Sequence, residues 1–173
     1  MNRRNHSRWI LGITVAAMLA TGTAVANDTV TVAEQMAGLQ QMCADTAEAR
    51  AQRQAEKPLY DRLGGYEKIN DFTREVVRLH KENDDIKHMF EYVDTERLAT
   101  SVADFTAAGT GGSQTYSGRT MPAAHANLKL TDADFLSAGG DIMTAMQTMG
   151  YGQNEIDEFV CILVSLKDQV VLE

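Results

Sequence analysis

The sequence predicts an all-α fold. Apolar residues recur at helical spacing along most of the chain, no stretch alternates like a strand, and capping residues, glycines and a proline separate the periodic runs. No internal repeat is present.

The first segment is not part of that fold. Met1-Asn-Arg-Arg-Asn-His-Ser-Arg8 is basic, an apolar run follows from Trp9 to about Leu19, and Ala24-Val-Ala26 comes after it. A basic start, a short apolar centre and an Ala-x-Ala exit read as a secretory signal peptide over residues 1–26, cleaved after Ala26 to give a periplasmic protein. The apolar run is shorter than the roughly 18 residues that a spanning helix needs. No membrane association is therefore expected once the signal peptide is removed.

Residues 27–57 form a polar N-terminal extension in which Val32, Met36, Leu39 and Cys43 recur at helical spacing, predicting a helix from Val32 to about Gln54. Lys57-Pro58 ends it, because proline lacks the amide donor and disfavours helix in the residue before it. The main domain takes residues 58–173. Its first long helix, Tyr66 to Lys81, carries Ile69, Phe72, Val76, Val77 and Leu79. Asp94 caps a second with Leu98, Val102 and Phe105 on one face. Four glycines with Thr, Ser and Gln make Gly109 to Gly118 a loop. Met121 to Asn127 has room for about two helical turns around His125. Thr131-Asp-Ala-Asp134 caps a helix bearing Phe135, Ile142, Met146 and Met149. Gly150-Tyr-Gly152 stops it, and Ile156, Phe159, Val160, Leu163 and Leu166 define the last helix.

Charge removes two partner classes. The formal net charge is −8, and loss of the three arginines of residues 1–26, which hold no acid, makes it −11. Nucleic acid and anionic membrane surfaces both require a basic footprint, so neither is expected. Cys43 and Cys161 are the only cysteines, and export permits their single intramolecular pairing. A bridge would staple the extension to the last helix; two buried thiols are the alternative.

Three motifs follow one another at telling intervals: Leu59-Tyr-Asp-Arg-Leu-Gly-Gly65, Gly111-Gly-Ser-Gln-Thr-Tyr-Ser-Gly118 and Met121-Pro-Ala-Ala-His125. This succession resembles the first group of truncated haemoglobins, in register without an insertion over about residues 59 to 171. The resemblance implies a two-over-two helical sandwich around haem, with the N-terminal helical extension added. It implies that His125 is the proximal iron ligand, that Phe90 packs on the haem face, and that Tyr116 lies near the haem edge within reach of a propionate. Leu98 and Met121 complete the implied cofactor contacts, and Val76, Val77, Leu98, Val102 and Thr106 the implied ligand pocket.

The chemistry of His125 agrees independently. A neutral imidazole is a good ligand for iron, and Ala123, Ala124 and Ala126 leave room for a flat macrocycle. No Cys-x-x-Cys-His occurs, so c-type attachment is excluded and the implied cofactor is haem b, held non-covalently. His80 and His88 read as solvated residues, with occasional sixth ligation of the iron as the alternative, and Met89, Met143, Met146 and Met149 as flexible core filler, with a haem-edge role as the alternative for Met146.

The departure from the family is on the ligand side. Val76-Val77 stand where many members carry Phe-Tyr, and Val102 where a glutamine is common. The polar clamp is absent from those positions, which implies a weak hold on O2 and puts nitric oxide dioxygenase activity in doubt. The leading function is a haem protein binding O2, NO or CO reversibly, for oxygen binding or transport. The alternative is a haem-dependent redox enzyme turning over peroxide, nitrite or NO with a periplasmic electron donor. That chemistry needs an acid–base group near the ligand, which Val77, Leu98 and Val102 do not supply. A haem-free helical interaction module is a third reading, opposed by the presence of both Phe90 and His125.

Overall fold

The computed structural model describes residues 30–172. The signal peptide and its cleavage after Ala26, read from the sequence, lie outside them. All regular elements among the described residues are helical: α1 (Val32–Asp45), α2 (Ala47–Glu56), α3 (Leu59–Arg62), α4 (Gly65–Glu82), α5 (Thr95–Thr110), α6 (Met121–His125), α7 (Asp132–Thr148) and α8 (Gln153–Val170), with a 3-10 turn at Lys87–Phe90.

The helix starts follow from side chains that satisfy orphan amides. Thr31 accepts from the Glu34 amide at 3.2 Å while Glu34 accepts from the Thr31 amide at 2.8 Å. Thr131 and Asp134 repeat that reciprocal box at α7, with the same two contacts at 3.2 and 2.9 Å. Asp94 caps α5 by accepting from the Arg97 amide at 3.1 Å.

Two expectations need correction. The extension is two helices rather than one from Val32 to Gln54, because the chain breaks at Thr46. There the Thr46 hydroxyl donates to the Met42 carbonyl at 2.8 Å, and Arg50 donates to the Cys43 carbonyl at 2.6 Å. The Met42 carbonyl also accepts from the Thr46 amide at 3.1 Å, so it is the Cys43 carbonyl that a side chain satisfies in place of a continued helix. The second correction is Gly109, which lies inside α5 and not in the loop. Tertiary packing overrides glycine's weak propensity here: Ala99, Ala103 and Ala107, each at most 1% exposed, make a small-residue stripe on α5. The turn comes at Gly111, whose φ of 105° suits only a residue without a Cβ. An added Cβ would also lie 3.1 Å from Pro58 Cβ.

Two helix pairs, α4 with α5 and α7 with α8, are joined by packing of α4 on α7. The Thr73 hydroxyl, fully buried, donates to the Ala99 carbonyl at 3.0 Å and ties the first pair. Phe72 sits at the centre, with its ring edge-to-face with Phe159 at 5.4 Å and Tyr151 at 6.2 Å. Met146 is fully buried in the same cluster, in keeping with its reading as core filler. No helix among the described residues is long and apolar enough to cross a membrane.

The extension lies against α7 and α8. Met36 is buried, Leu39 and Met42 pack on the main core, and Cys43 is bonded to Cys161 with a Cα–Cα distance of 5.4 Å. A part-buried ion cluster around the buried Glu158 lies beside it: Arg62 of α3 reaches Glu158 at 2.7 Å and Glu155 at 2.9 Å, and Arg53 of α2 approaches Glu158 at 3.5 Å. The Arg53 approach lacks hydrogen-bond geometry, so the Arg62 contacts carry the cluster. Removing one member of a buried pair typically costs roughly 3–5 kcal/mol. Glu158→Ala should fall at about 3 kcal/mol because Glu155 still faces Arg62. Urea unfolding measures it.

Candidate functional site

His125 ends α6, a helix too short to persist alone. Thr120 caps it through the Ala123 amide at 3.4 Å, and Pro122 in the first turn removes no intrahelical hydrogen bond. The helix packs on α8. It is shorter than the two turns expected to Asn127, and Leu128 closes one further turn on the His125 carbonyl at 3.0 Å. His125 Nδ1 lies 2.8 Å from the Met121 carbonyl oxygen. A carbonyl can only accept, so Nδ1 carries the proton in the neutral ring and Nε2 presents its lone pair. A backbone carbonyl fixing one ring nitrogen while the other is left to bind is the arrangement of a metal-ligating histidine. The ring is half-buried, and Ala123 and Ala126 beside it are exposed.

Tyr116 and Met121 hold the segment that delivers this ring. The Tyr116 hydroxyl donates to the Arg119 carbonyl at 2.7 Å, and its ring meets Phe105 of α5 edge-to-face at 5.2 Å. Its proton is therefore committed within the loop. Met121 is half-buried and supplies the carbonyl that orients His125.

The other residues singled out from the sequence lie on α4, α5 and the 3-10 turn. Val76 and Val77 are buried on α4, Leu98 and Val102 are half-buried on α5, and Thr106 is buried one turn further on. Phe90 ends the 3-10 turn, half-buried. An open cleft of about 230 Å³ also borders Val77, between charged residues of α4 and the start of α5. Its arginines are engaged, Arg74 by Glu96 and Arg78 by Glu75 and Glu82. Neither His125 nor Phe90 lines this cleft.

His80 overturns its reading as a solvated residue. Its side chain is only 12% exposed, and Nδ1 lies 2.8 Å from Asp141 Oδ2. Asn83 donates to the same oxygen at 2.9 Å and to Ser137 Oγ at 3.0 Å, and Ser137 donates to Asp85 at 2.9 Å. The His80 ring stands 5.4 Å from that of Phe90, tilted by 41°. The signal was present in the sequence: Ile69, Phe72, Val76 and His80 follow one another at three- or four-residue steps, which puts His80 on the buried face of α4. Asp141, Asn83 and Ser137 carried no such signal. His88 is exposed, as read.

Burial lowers the His80 pKa below the ordinary histidine value, against the opposing pull of Asp141. The native state then binds fewer protons than the unfolded chain. Stability is full above the unfolded value of about 6.5 and declines as pH falls from there through the lowered native value. Urea midpoints from about pH 7 to about pH 5 should fall in the wild type and fall less in His80→Gln.

A family model described as bacterial-like globin matches residues 58–171. The ferric truncated haemoglobin of Tetrahymena pyriformis is similar with a TM-score of 0.63 and 19% identity, over 68% of this chain and 100% of that one. The 2/2 haemoglobin of Synechococcus sp. PCC 7002, in the cyanomet state with covalently attached haem, gives a TM-score of 0.61 and 26% identity over 66% of this chain and 98% of that one. The likeness to the Tetrahymena protein establishes the shared fold.

Proposed function

Because this chain belongs to the bacterial-like globin family, we propose that it binds haem through His125 and takes up a diatomic gas at the iron. One observation carries the proposal: the 2.8 Å contact of His125 Nδ1 with the Met121 carbonyl, which leaves Nε2 as a free donor to a metal. The residues present fit the group. An imidazole with a fixed tautomer supplies the ligand, the half-buried Phe90, Leu98 and Val102 supply apolar contact, and the Tyr116–Arg119 contact braces the loop ahead of α6. When bound, haem supplies an iron position open to O2, NO or CO.

The cofactor of this reading is haem b, held without the cysteines of c-type attachment. Val76, Val77, Leu98, Val102 and Thr106 line the ligand side, and the order of motifs over residues 59–171 supports the first group of truncated haemoglobins. The signal-like start supports export to the periplasm. The acidic charge speaks against nucleic acid as a partner. A redox enzyme with a periplasmic electron donor is the second reading, favoured by the part-buried His80–Asp141 pair.

Titration of the purified protein with haemin tests the proposal. A saturable Soret band at one haem per chain, with a ferrous form that responds to CO, is the expected result. No saturation, or a ferrous spectrum indifferent to CO, would refute it.

A further inference from the structure

We propose that His80, held by Asp141, is the polar group that faces the gas ligand. This rests on the haem reading above and changes what the pocket is made of: the residues at the family's clamp positions are apolar, and the polar contact comes from another place on α4.

Position comes first. His80 follows Val76 by four residues, so the two side chains share the buried face of α4. Its ring packs on Phe90, the aromatic assigned to the haem face. Orientation comes second. A carboxylate only accepts, so the neutral ring carries its proton on Nδ1 toward Asp141, 2.8 Å away, and leaves Nε2 available. Asp141 is itself held, since Asn83 donates to the same oxygen at 2.9 Å. A ring fixed between Asp141 and Phe90 has little rotational freedom, and a directed contact needs that restriction.

The two protonation states do different work. The neutral ring accepts at Nε2; the protonated ring donates there, with Asp141 balancing its charge. The charged groups bearing on it are Asp141 from α7 and, through Ser137, Asp85 from the segment after α4. Phe90, from the 3-10 turn, contributes no charge. A charge-assisted donor acting on a polar ligand and much less on CO changes the ratio of the two affinities by roughly ten- to a hundredfold. The pocket should therefore hold O2 more tightly as pH falls through the His80 titration.

The test uses the haem-loaded protein in its CO form. In proton NMR the His80 ring should show a large porphyrin ring-current displacement while exposed His88 shows little. The infrared C–O stretch should move with pH in the wild type, lose that dependence in His80→Leu, and titrate at a shifted pH in Asp141→Asn. His88→Ala should keep the wild-type profile. O2 dissociation should slow about tenfold on acidification in the wild type and not in His80→Leu. Undisplaced His80 resonances, or a pH-dependent stretch that survives in His80→Leu, would overturn the proposal while a normal Soret band leaves the haem reading intact. A six-coordinate ferric spectrum that reverts in His80→Leu would overturn it in favour of direct ligation. Should His80→Leu not fold, Asp141→Asn and the wild-type NMR displacement decide alone. Failure of the wild type to load haem at all would instead defeat the underlying reading.

Discussion

His125→Gly should fold normally and lose nearly all its haem, and added imidazole should restore it. The fold tolerates the change because the ring is half-buried on a short helix between exposed alanines. The losses are one hydrogen bond to Met121, about 1 kcal/mol, and helix propensity of about 1 kcal/mol. On the proposed reading haem binding has no such reserve, since His125 is the one protein ligand to the iron. Circular dichroism separates folding from binding, and the Soret absorbance of the purified variant reports occupancy. His88→Ala is the control and should load fully. Full occupancy of His125→Gly with an unchanged ferrous spectrum would sink the assignment.

The second large effect belongs to the extension. Cys43 and Cys161 are 118 residues apart in sequence, and a loop of that length gives roughly 4–5 kcal/mol on the chain-entropy model. Cys43→Ala with Cys161→Ala should therefore lower Tm by roughly 10–20 °C. Its haem spectrum should hardly change, because Met36, Leu39 and Met42 still dock α1, and Gln54 of α2 still accepts from the Leu59 amide at 2.8 Å. Non-reduced, periplasmically expressed protein should yield no alkylatable thiol after denaturation. Two such thiols by mass spectrometry would show that the bridge does not form.

Much of this architecture could be read without coordinates, for identifiable reasons. Thr31, Asp94 and Thr131 each precede a periodic run, and a local cap fixes a helix start whatever the helix later packs against. Pro58, Gly111 and Gly150 mark ends by equally local means. Gly109 is helical because the stripe Ala99, Ala103 and Ala107 holds α5 against its neighbours, a distant contact. The break at Thr46 is local, made with Arg50 reaching back seven residues to the Cys43 carbonyl, and the apolar spacing that runs through Val32, Met36, Leu39 and Cys43 does not show it. The site divides in the same way. His125 stands in a motif whose order in the chain is informative. His80 matters through Asp141, 61 residues away, and nothing local to either residue announces the pairing.

The most direct test of the iron assignment is resonance Raman spectroscopy of the ferrous protein with and without ¹⁵N-labelled histidine. An iron–histidine band that shifts with the label in the wild type, in His80→Leu and in His88→Ala is the expected result. In His125→Gly rescued by unlabelled imidazole that isotope shift should vanish. Its persistence in the rescued variant, or its loss in His80→Leu or His88→Ala, would contradict the assignment of the iron to His125.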